Sequence, residues 1–382
     1  MLKRLYPWMC FAFVLLAMGI FSMAQGRPAE AQDQPELQYY RRRLERNPKE
    51  MRIHIEYQDV MLKMGRRSQA LREYLLRMTS APQNGLFIYL YARLLDAHTD
   101  EALVYLKRAV KQSPNLFAAR FDLARAYYYR GKYDEAILHY RAALRLKPGQ
   151  APVHHLLGLA YYHKGYIPHA IAEYRQAIEL DENDISFYLN LGIAYYYTGK
   201  FDAAIAVYQK ALGLDGGHSD WHTIYRDLGM AYAKKGEAAR AEGAYRKALE
   251  LKPDYIEVYE NLGNLAFNRG DYGGAAEAYE KTLAGASEDG VLHFKLGLAY
   301  YNDEAYKAGI PHLQRAVEID PTRTGVFYYL GQACYKEGMA DGAKKALKTY
   351  VAQEKRMSKH AYVLEAKQVL HELNRIKLPS LF

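Results

Sequence analysis

The sequence predicts an all-α solenoid of tandem helix-turn-helix units. Three residue types repeating in step carry that prediction. Glycines at 158, 192, 229, 263, 297 and 331 are spaced 34, 37, 34, 34 and 34 residues apart. Tyrosines at 140, 174, 208, 245 and 279 are spaced 34, 34, 37 and 34. Prolines at 48, 82, 114, 148, 253 and 321 keep the same phase, apart from one short step of 32 after Pro82. A single three-residue insertion between Tyr208 and Gly229 accounts for the long step in all three series. A fixed period of this length marks stacked units, none of which buries its apolar face alone.

Each repeated residue has a local reason for its place. Leu123 to Tyr128 reads as one helix face, and Gly131 ends it, because the residue after a helix often takes a left-handed conformation. Tyr133 through Leu146 is the second helix, with Ala136, Tyr140 and Ala143 on one stripe, and Pro148 stops it. The mid-helix glycine, Gly158 and its equivalents, lets two helices approach closely, and Tyr127 and Tyr140 fill the space around them. A second glycine series, at 165, 199, 236, 270 and 338, follows most of the first by seven residues. Thirty-seven tyrosines are far more than an ordinary domain uses; several per repeat explain them.

These residues resemble the tetratricopeptide repeat, a helix pair with a period of about 34 residues. Leu157-Gly158 matches its Leu-Gly pair, Tyr161 the aromatic three residues on, and Ala170, Tyr174 and Ala177 the small-aromatic-small positions of its second helix. Leu191, Gly192, Tyr195, Gly199, Ala204, Tyr208 and Ala211 match in the next copy. The tryptophan usual early in the first helix is missing; Tyr188, Tyr225, Tyr259 or Phe327 stands there in four units. The expected units are 51–82, 83–116, 117–150, 151–184, 185–221, 222–255, 256–289, 290–323 and 324–357. The first is two residues short and rests on Gly65, Ala70, Tyr74 and Pro82. Residues 25–50 are expected to be a linker and a cap helix, Pro35 to Glu45, and residues 358–382 a second cap helix, Tyr362 to Ile376, and a tail. In that second cap Val363, Ala366, Leu370 and Leu373 form the apolar stripe. Solenoids need such atypical ends to cover the last exposed face.

The first 24 residues have the pattern of an export signal. Lys3 and Arg4 are followed by an apolar run from Trp8 to Met23, and Ser22-Met23-Ala24 offers small residues for cleavage before Gln25. Ala29-Glu30-Ala31 offers a second site. An uncleaved N-terminal anchor is the alternative, although the run is short for a membrane span. Removal of residues 1–24 takes Lys3 and Arg4 and lowers the formal net charge from +9 to +7. Of the two cysteines only Cys334 then remains, so no intramolecular disulfide forms in a compartment that permits them. The chain has no Asn-x-Ser/Thr acceptor. The expected location is therefore periplasmic or secreted. A basic chain there favours acidic proteins or peptides, anionic lipid or anionic polysaccharide as partners over nucleic acid.

Repeats and caps leave no room for a catalytic domain. No phosphate-binding glycine loop, cysteine pair, nucleophile elbow or His-Glu-x-x-His motif is present, so no cofactor, metal or enzymatic activity is expected. His154, His155, His163 and His169 crowd one repeat, but His155 and His163 lie more than two helical turns apart, too far to share a metal by local spacing. His218 and His222 are four residues apart, but Gly216-Gly217 is expected to place His218 in a loop.

The resemblance implies a right-handed superhelix whose inner groove is lined by the first helix of each pair, and a role in holding a protein or peptide. Carried over unit by unit, it gives an aromatic row at Tyr128, Tyr162, Tyr196, Phe267, Tyr301 and Tyr335, interrupted at Ala233. The row is either a track for an extended peptide or packing proper to the repeat. The polar departures on the same face are Arg125, His155, Asn190, Arg226, Asn261, Asn264, Asn268, Lys295 and Gln332, opposed by Asp122, Asp227, Glu257 and Glu260. The lysine-asparagine-arginine set with which some members grip a C-terminal carboxylate is absent. Asparagines that both donate and accept suit backbone amides instead. The insertion, Asp215 to Trp221, is a second candidate, with Trp221 either a contact residue or a filler between displaced units. Basic runs at Arg41-Arg42-Arg43, Arg66-Arg67 and Lys344 to Lys359 raise a competing reading, an envelope assembly factor docking its ends on an anionic membrane surface.

Overall fold

The computed structural model describes residues 35–214, 220–285, 288–354 and 361–375. The expected export signal, the linker to residue 34, the core of the insertion (residues 215–219) and residues 355–359 of the last basic run lie outside them. Among the described residues run twenty α-helices and no strand. An opening helix, α1 (Pro35–Arg46), precedes the pairs α2 (Met51–Lys63) and α3 (Arg67–Ser80), α4 (Gly85–Leu94) and α5 (Asp100–Gln112), α6 (Phe117–Tyr129) and α7 (Tyr133–Leu146), and α8 (Ala151–His163) and α9 (Ile167–Leu180). Then come α10 (Ile185–Tyr197) and α11 (Phe201–Leu212), α12 (Trp221–Lys234) and α13 (Ala238–Leu251), and α14 (Ile256–Asn268) and α15 (Tyr272–Leu283). The last pairs are α16 (Gly290–Asn302) with α17 (Tyr306–Ile319) and α18 (Thr324–Lys336) with α19 (Ala340–Gln353), closed by α20 (Ala361–Arg375). The fold is an all-α helical repeat solenoid.

Two compact units divide the chain after Lys164. In the first, α1 closes one end with buried Leu37 and Leu44, and the first helices α2 and α4, and α6 and α8, touch in turn. In the second, α10, α12 and α14 touch in series, as do α16, α18 and α20. Apolar side chains pack continuously from Ile185 to Leu265 and again from Ile310 to Leu373. The closing helix buries Val363, Ala366, Val369 and Leu373. Val369 thus takes a place in the buried stripe, and Leu370 is only partly covered.

The Leu-Gly glycine fixes how closely the helices of a pair approach. A Cβ on Gly229 would stand 2.5 Å from the Tyr245 ring, and one on Gly263 would stand 2.6 Å from the Tyr279 ring. Gly192 faces Tyr208 in the same way. In the last two pairs leucine replaces the ring: Gly297 meets Leu313 at 2.7 Å and Gly331 meets Leu347 at 2.5 Å. The partners Tyr208, Tyr245 and Tyr279 are at most 2% exposed. Burying a side chain of this size against backbone stabilises by a few kcal/mol, and any added methyl must displace it.

The missing tryptophan has a replacement that its chemistry explains. The fourth residue of the first helix reaches back six positions to a carbonyl of the preceding turn in five pairs. His54 Nε2 lies 3.0 Å from the Pro48 oxygen, and His154 Nε2 lies 3.0 Å from that of Pro148. The hydroxyls of Tyr188 and Tyr259 donate to Glu182 and Pro253 at 3.1 and 3.0 Å. Arg120 Nε donates to Pro114. Histidine, tyrosine and arginine share only a side-chain donor at this reach, so that is the property the position uses. A carbonyl only accepts, so both histidines carry the proton on Nε2. The free Nδ1 of His54 then accepts from the Tyr74 hydroxyl at 2.9 Å.

Glycines 65, 131, 165, 199, 236, 270 and 338 end their helices at φ between 69° and 80°. The pair α16–α17 lacks the glycine, and Glu304 occupies the same left-handed conformation at φ 59°. A side chain there costs about 1–2 kcal/mol. Glu304→Gly is therefore expected to raise stability by about 1 kcal/mol in chemical denaturation, whereas Gly229→Ala lowers it by roughly 1–3 kcal/mol. A neutral or stabilising Gly229→Ala contradicts this packing.

Burial holds the imidazoles of His54, His139 and His312 below the ordinary value, and His293, with its Nδ1 3.1 Å from that of His312, lowers the last further. The unfolded chain then takes up protons first as pH falls through 6.5. Stability is full above that value and declines below it. The melting temperature is expected to fall between about pH 7.5 and pH 5.5, and His312→Gln to remove part of the fall. A melting temperature that is flat or rises on acidification contradicts the assignment.

Candidate partner-binding recess

Successive units set equivalent positions of α10, α12 and α14 side by side on the first-helix face. Two adjoining recesses open there, of about 360 and 450 Å³. Tyr196, Met230 and Asn261 line both. The first adds Ile193, Tyr197, Tyr208, Arg226, Asp227, Glu257 and Glu260. The second adds Ala233, Lys234, Asn264, Asn268 and Arg269 among others.

The first recess is predominantly acidic. Arg226 is bound to its neighbour, with Nε and Nη2 at 2.8 and 2.7 Å from Asp227 Oδ1, while Nη1 donates to the Tyr255 hydroxyl. Burial lowers the Arg226 value, but the charge and hydrogen bond of Asp227 outweigh it and raise the guanidinium overall. Asp227 is 5% exposed. Burial pushes its carboxyl above the usual range, with Arg226 opposing. Its other oxygen, Oδ2, is buried and has no hydrogen-bond partner. Glu260 is held by Lys295 Nζ at 2.7 Å. Glu257 is exposed and has no ion pair among the described residues.

The second recess is amide-rich and carries positive charge. Asn264 Oδ1 accepts from the Tyr279 hydroxyl at 2.9 Å, which fixes the amide and leaves its NH₂ as donor. Arg269 is tied to Glu242 at 2.7 Å, and Lys234 is exposed. Ala233, the gap in the aromatic row, lines this recess: where the other units place a ring, a methyl group leaves room.

The residues singled out in the sequence are distributed over several places. Tyr196, Arg226, Asn261 and Asn264 meet in the recesses, and Lys295 reaches their edge through Glu260. Asn190 lies on α10 with its amide bound to Ser186 O at 2.9 Å. Arg125 belongs to another hollow, in the first unit, with Asp122 and Arg93. There Asp122 accepts from Tyr89 at 2.9 Å and from Arg125 at 3.4 Å. His155 and Tyr162 are half-buried on α8.

Most of the aromatic row packs within its own repeat. Tyr128, Tyr196, Phe267 and Tyr301 stand edge-on to Tyr133, Phe201, Tyr272 and Tyr306, the aromatics that open the second helix, with centroids 5.2–5.7 Å apart. Tyr335 instead donates to Glu372 of α20 at 2.7 Å. Gln332, expected on the groove, is 2% exposed beneath α20 and donates to Glu365 at 3.3 Å. The closing helix covers Gln332, which is not open to a partner, and engages the Tyr335 hydroxyl without burying it.

Two further expectations change. Acidic groups outnumber basic ones in the first recess, so an acidic ligand is the wrong charge for it. The N-terminal basic runs are largely engaged: Arg41 donates to Tyr57 at 3.2 Å, Arg43 pairs with Glu56 at 3.3 Å, and Arg67 donates to Leu94 O at 2.9 Å. Among the described residues no helix is long and apolar enough to cross a membrane, and no three metal-ligating side chains gather. Trp221 opens α12, half-buried against the Ile185–Leu265 core. The sequence alone did not single out Tyr197, Met230 or Lys234. The interruption at Ala233 was a signal for the second recess, which Met230 and Lys234 border, and not for Tyr197 in the first.

This is a repeat-built helical protein that presents a recessed face on its first helices. A family model described as TPR repeat matches residues 124–165 and 158–199, and one described as tetratricopeptide repeat matches 189–256 and 260–324. Together these cover just over half of the sequence, and the chain belongs to the tetratricopeptide-repeat family. Comparison with curated proteins gives no match. Among solved structures, MamA is similar at 27% identity over 42% of this chain and 93% of its own, with a TM-score of 0.40. PilF of Pseudomonas aeruginosa is similar at 20% identity over 54% of this chain and 92% of its own, with a TM-score of 0.47. The C-terminal part of a TPR repeat-containing protein of Cytophaga hutchinsonii reaches 20% identity over 73% of this chain and 98% of that part, with a TM-score of 0.48.

Proposed function

We propose that this protein is a non-catalytic scaffold that binds an extended segment of a partner protein across the first-helix face of α10, α12 and α14. Tetratricopeptide repeats generally mediate protein–protein interactions and are generally non-catalytic. The observation that carries the proposal is the pair of adjoining recesses, which share Tyr196, Met230 and Asn261 and run over three successive repeats. Asparagine amides beside half-buried rings supply backbone hydrogen bonding and stacking without demanding one side-chain sequence. The partner is met outside the cytosol, a reading supported by the export pattern of residues 3–24. The engaged arginines of α1 and α3 make membrane docking by the basic ends the weaker alternative.

Photo-crosslinking in the native cell tests this. A benzoylphenylalanine at Met230 is expected to give a discrete adduct, and one at Leu251, exposed on α13, to give none. The adduct's chain is expected to begin at Gln25. Equal labelling from both positions contradicts the recess, and a chain that retains Met1 contradicts cleavage of the export signal.

A further inference from the structure

Resting on that reading, we infer that the recess between α10, α12 and α14 seats a cationic side chain, an arginine or lysine of the partner segment, on Asp227, Glu257 and Glu260. Three carboxylates line this recess against one guanidinium. The guanidinium is turned to its own neighbours: Arg226 gives Nε, Nη1 and Nη2 donors to Asp227 and Tyr255. Lys295 offsets Glu260, and Glu257 has no ion pair among the described residues. The recess therefore retains net negative charge where a ligand enters.

The second observation is independent of that balance. Asp227, only 5% exposed, lines the recess; its Oδ1 holds Arg226, and its Oδ2 lies covered beneath the wall without a partner. Buried carboxylate oxygens are ordinarily hydrogen-bonded. A carboxylate only accepts, so the complementary group is a donor, and the surrounding charge selects a positive one. The walls suit the rest of such a side chain. Tyr196 and Tyr197 supply aromatic surface for a cation, and Met230 supplies an adaptable apolar contact for the methylene stem. Next door, Asn261, Asn264 and Asn268 suit the flanking backbone. The cation would act as the anchor and the amides as the track.

Selection of short random peptides displayed on phage against the full chain tests the seat. The wild type is expected to enrich peptides with arginine or lysine at one fixed position. Replacing that arginine with citrulline, which is neutral and nearly isosteric, should weaken binding about tenfold or more, with a strong salt dependence for the charged form. Selection on Glu257→Gln and on Asp227→Asn, each with unchanged helicity by circular dichroism, should lose the preference while still enriching peptides. Should Asp227→Asn fail to fold, the exposed Glu257→Gln alone decides. Peptides enriched without a fixed cation, or equally on the variants, overturn the cationic seat and leave the scaffold reading intact. No enrichment on the wild type overturns both.

Discussion

The close approach of two helices at a glycine is the contact on which the rest of the structure depends. Gly229 and Gly263 lie against tyrosine rings, and Gly297 and Gly331 against leucines, with no room for another carbon. That contact sets the separation within a pair. In the pairs from α10 to α19 the separation is nearly constant, so within the second unit α10, α12 and α14, and α16 and α18, fall side by side. A pair cannot cover its own apolar faces, which makes the register a condition of stability as well as of shape. The recess is a consequence: it lies where three equally spaced first helices meet and one of them carries Ala233 in place of a ring.

Structure and recognition are therefore divided between different residues. The rings of Tyr128, Phe267 and Tyr301 are occupied with the aromatics that open their second helices. In five pairs the fourth position of the first helix is occupied with the preceding turn. What the repeat does not use is small and lies on α12 and α14: a buried carboxylate oxygen, an unpaired glutamate, the amides of Asn261 and Asn268, the NH₂ of Asn264 and a methionine. These are departures from the repeat, and the chemistry available to a partner is concentrated in them.

The fold was almost wholly legible in the sequence, because period and packing are the same fact. Gly131 and Pro148 announce helix ends, and Ala136, Tyr140 and Ala143 announce a buried stripe; all three of these are fully covered. The donor staple was not legible as such. The position was visible as a missing tryptophan, but its acceptor lies on a turn whose geometry no spacing reveals. The site was half legible. Arg226, Asn261 and Asn264 stood out as polar residues at inner positions, yet charge alone did not show that Arg226 is consumed by Asp227 and Tyr255. Gln332 looked equivalent to them and is not, because coverage by α20 depends on where a non-repeating helix docks. Met230 and Lys234 look like ordinary repeat residues until Ala233 opens the space beside them.

The account is tested most directly by hydrogen–deuterium exchange of the full chain with and without a peptide selected on it. Protection is predicted to gather in the segments of α10, α12 and α14 that border Tyr196, Met230 and Asn261, with α11, α13 and α15 little changed. Protection confined to those second helices, or to α1 and α20, would contradict it.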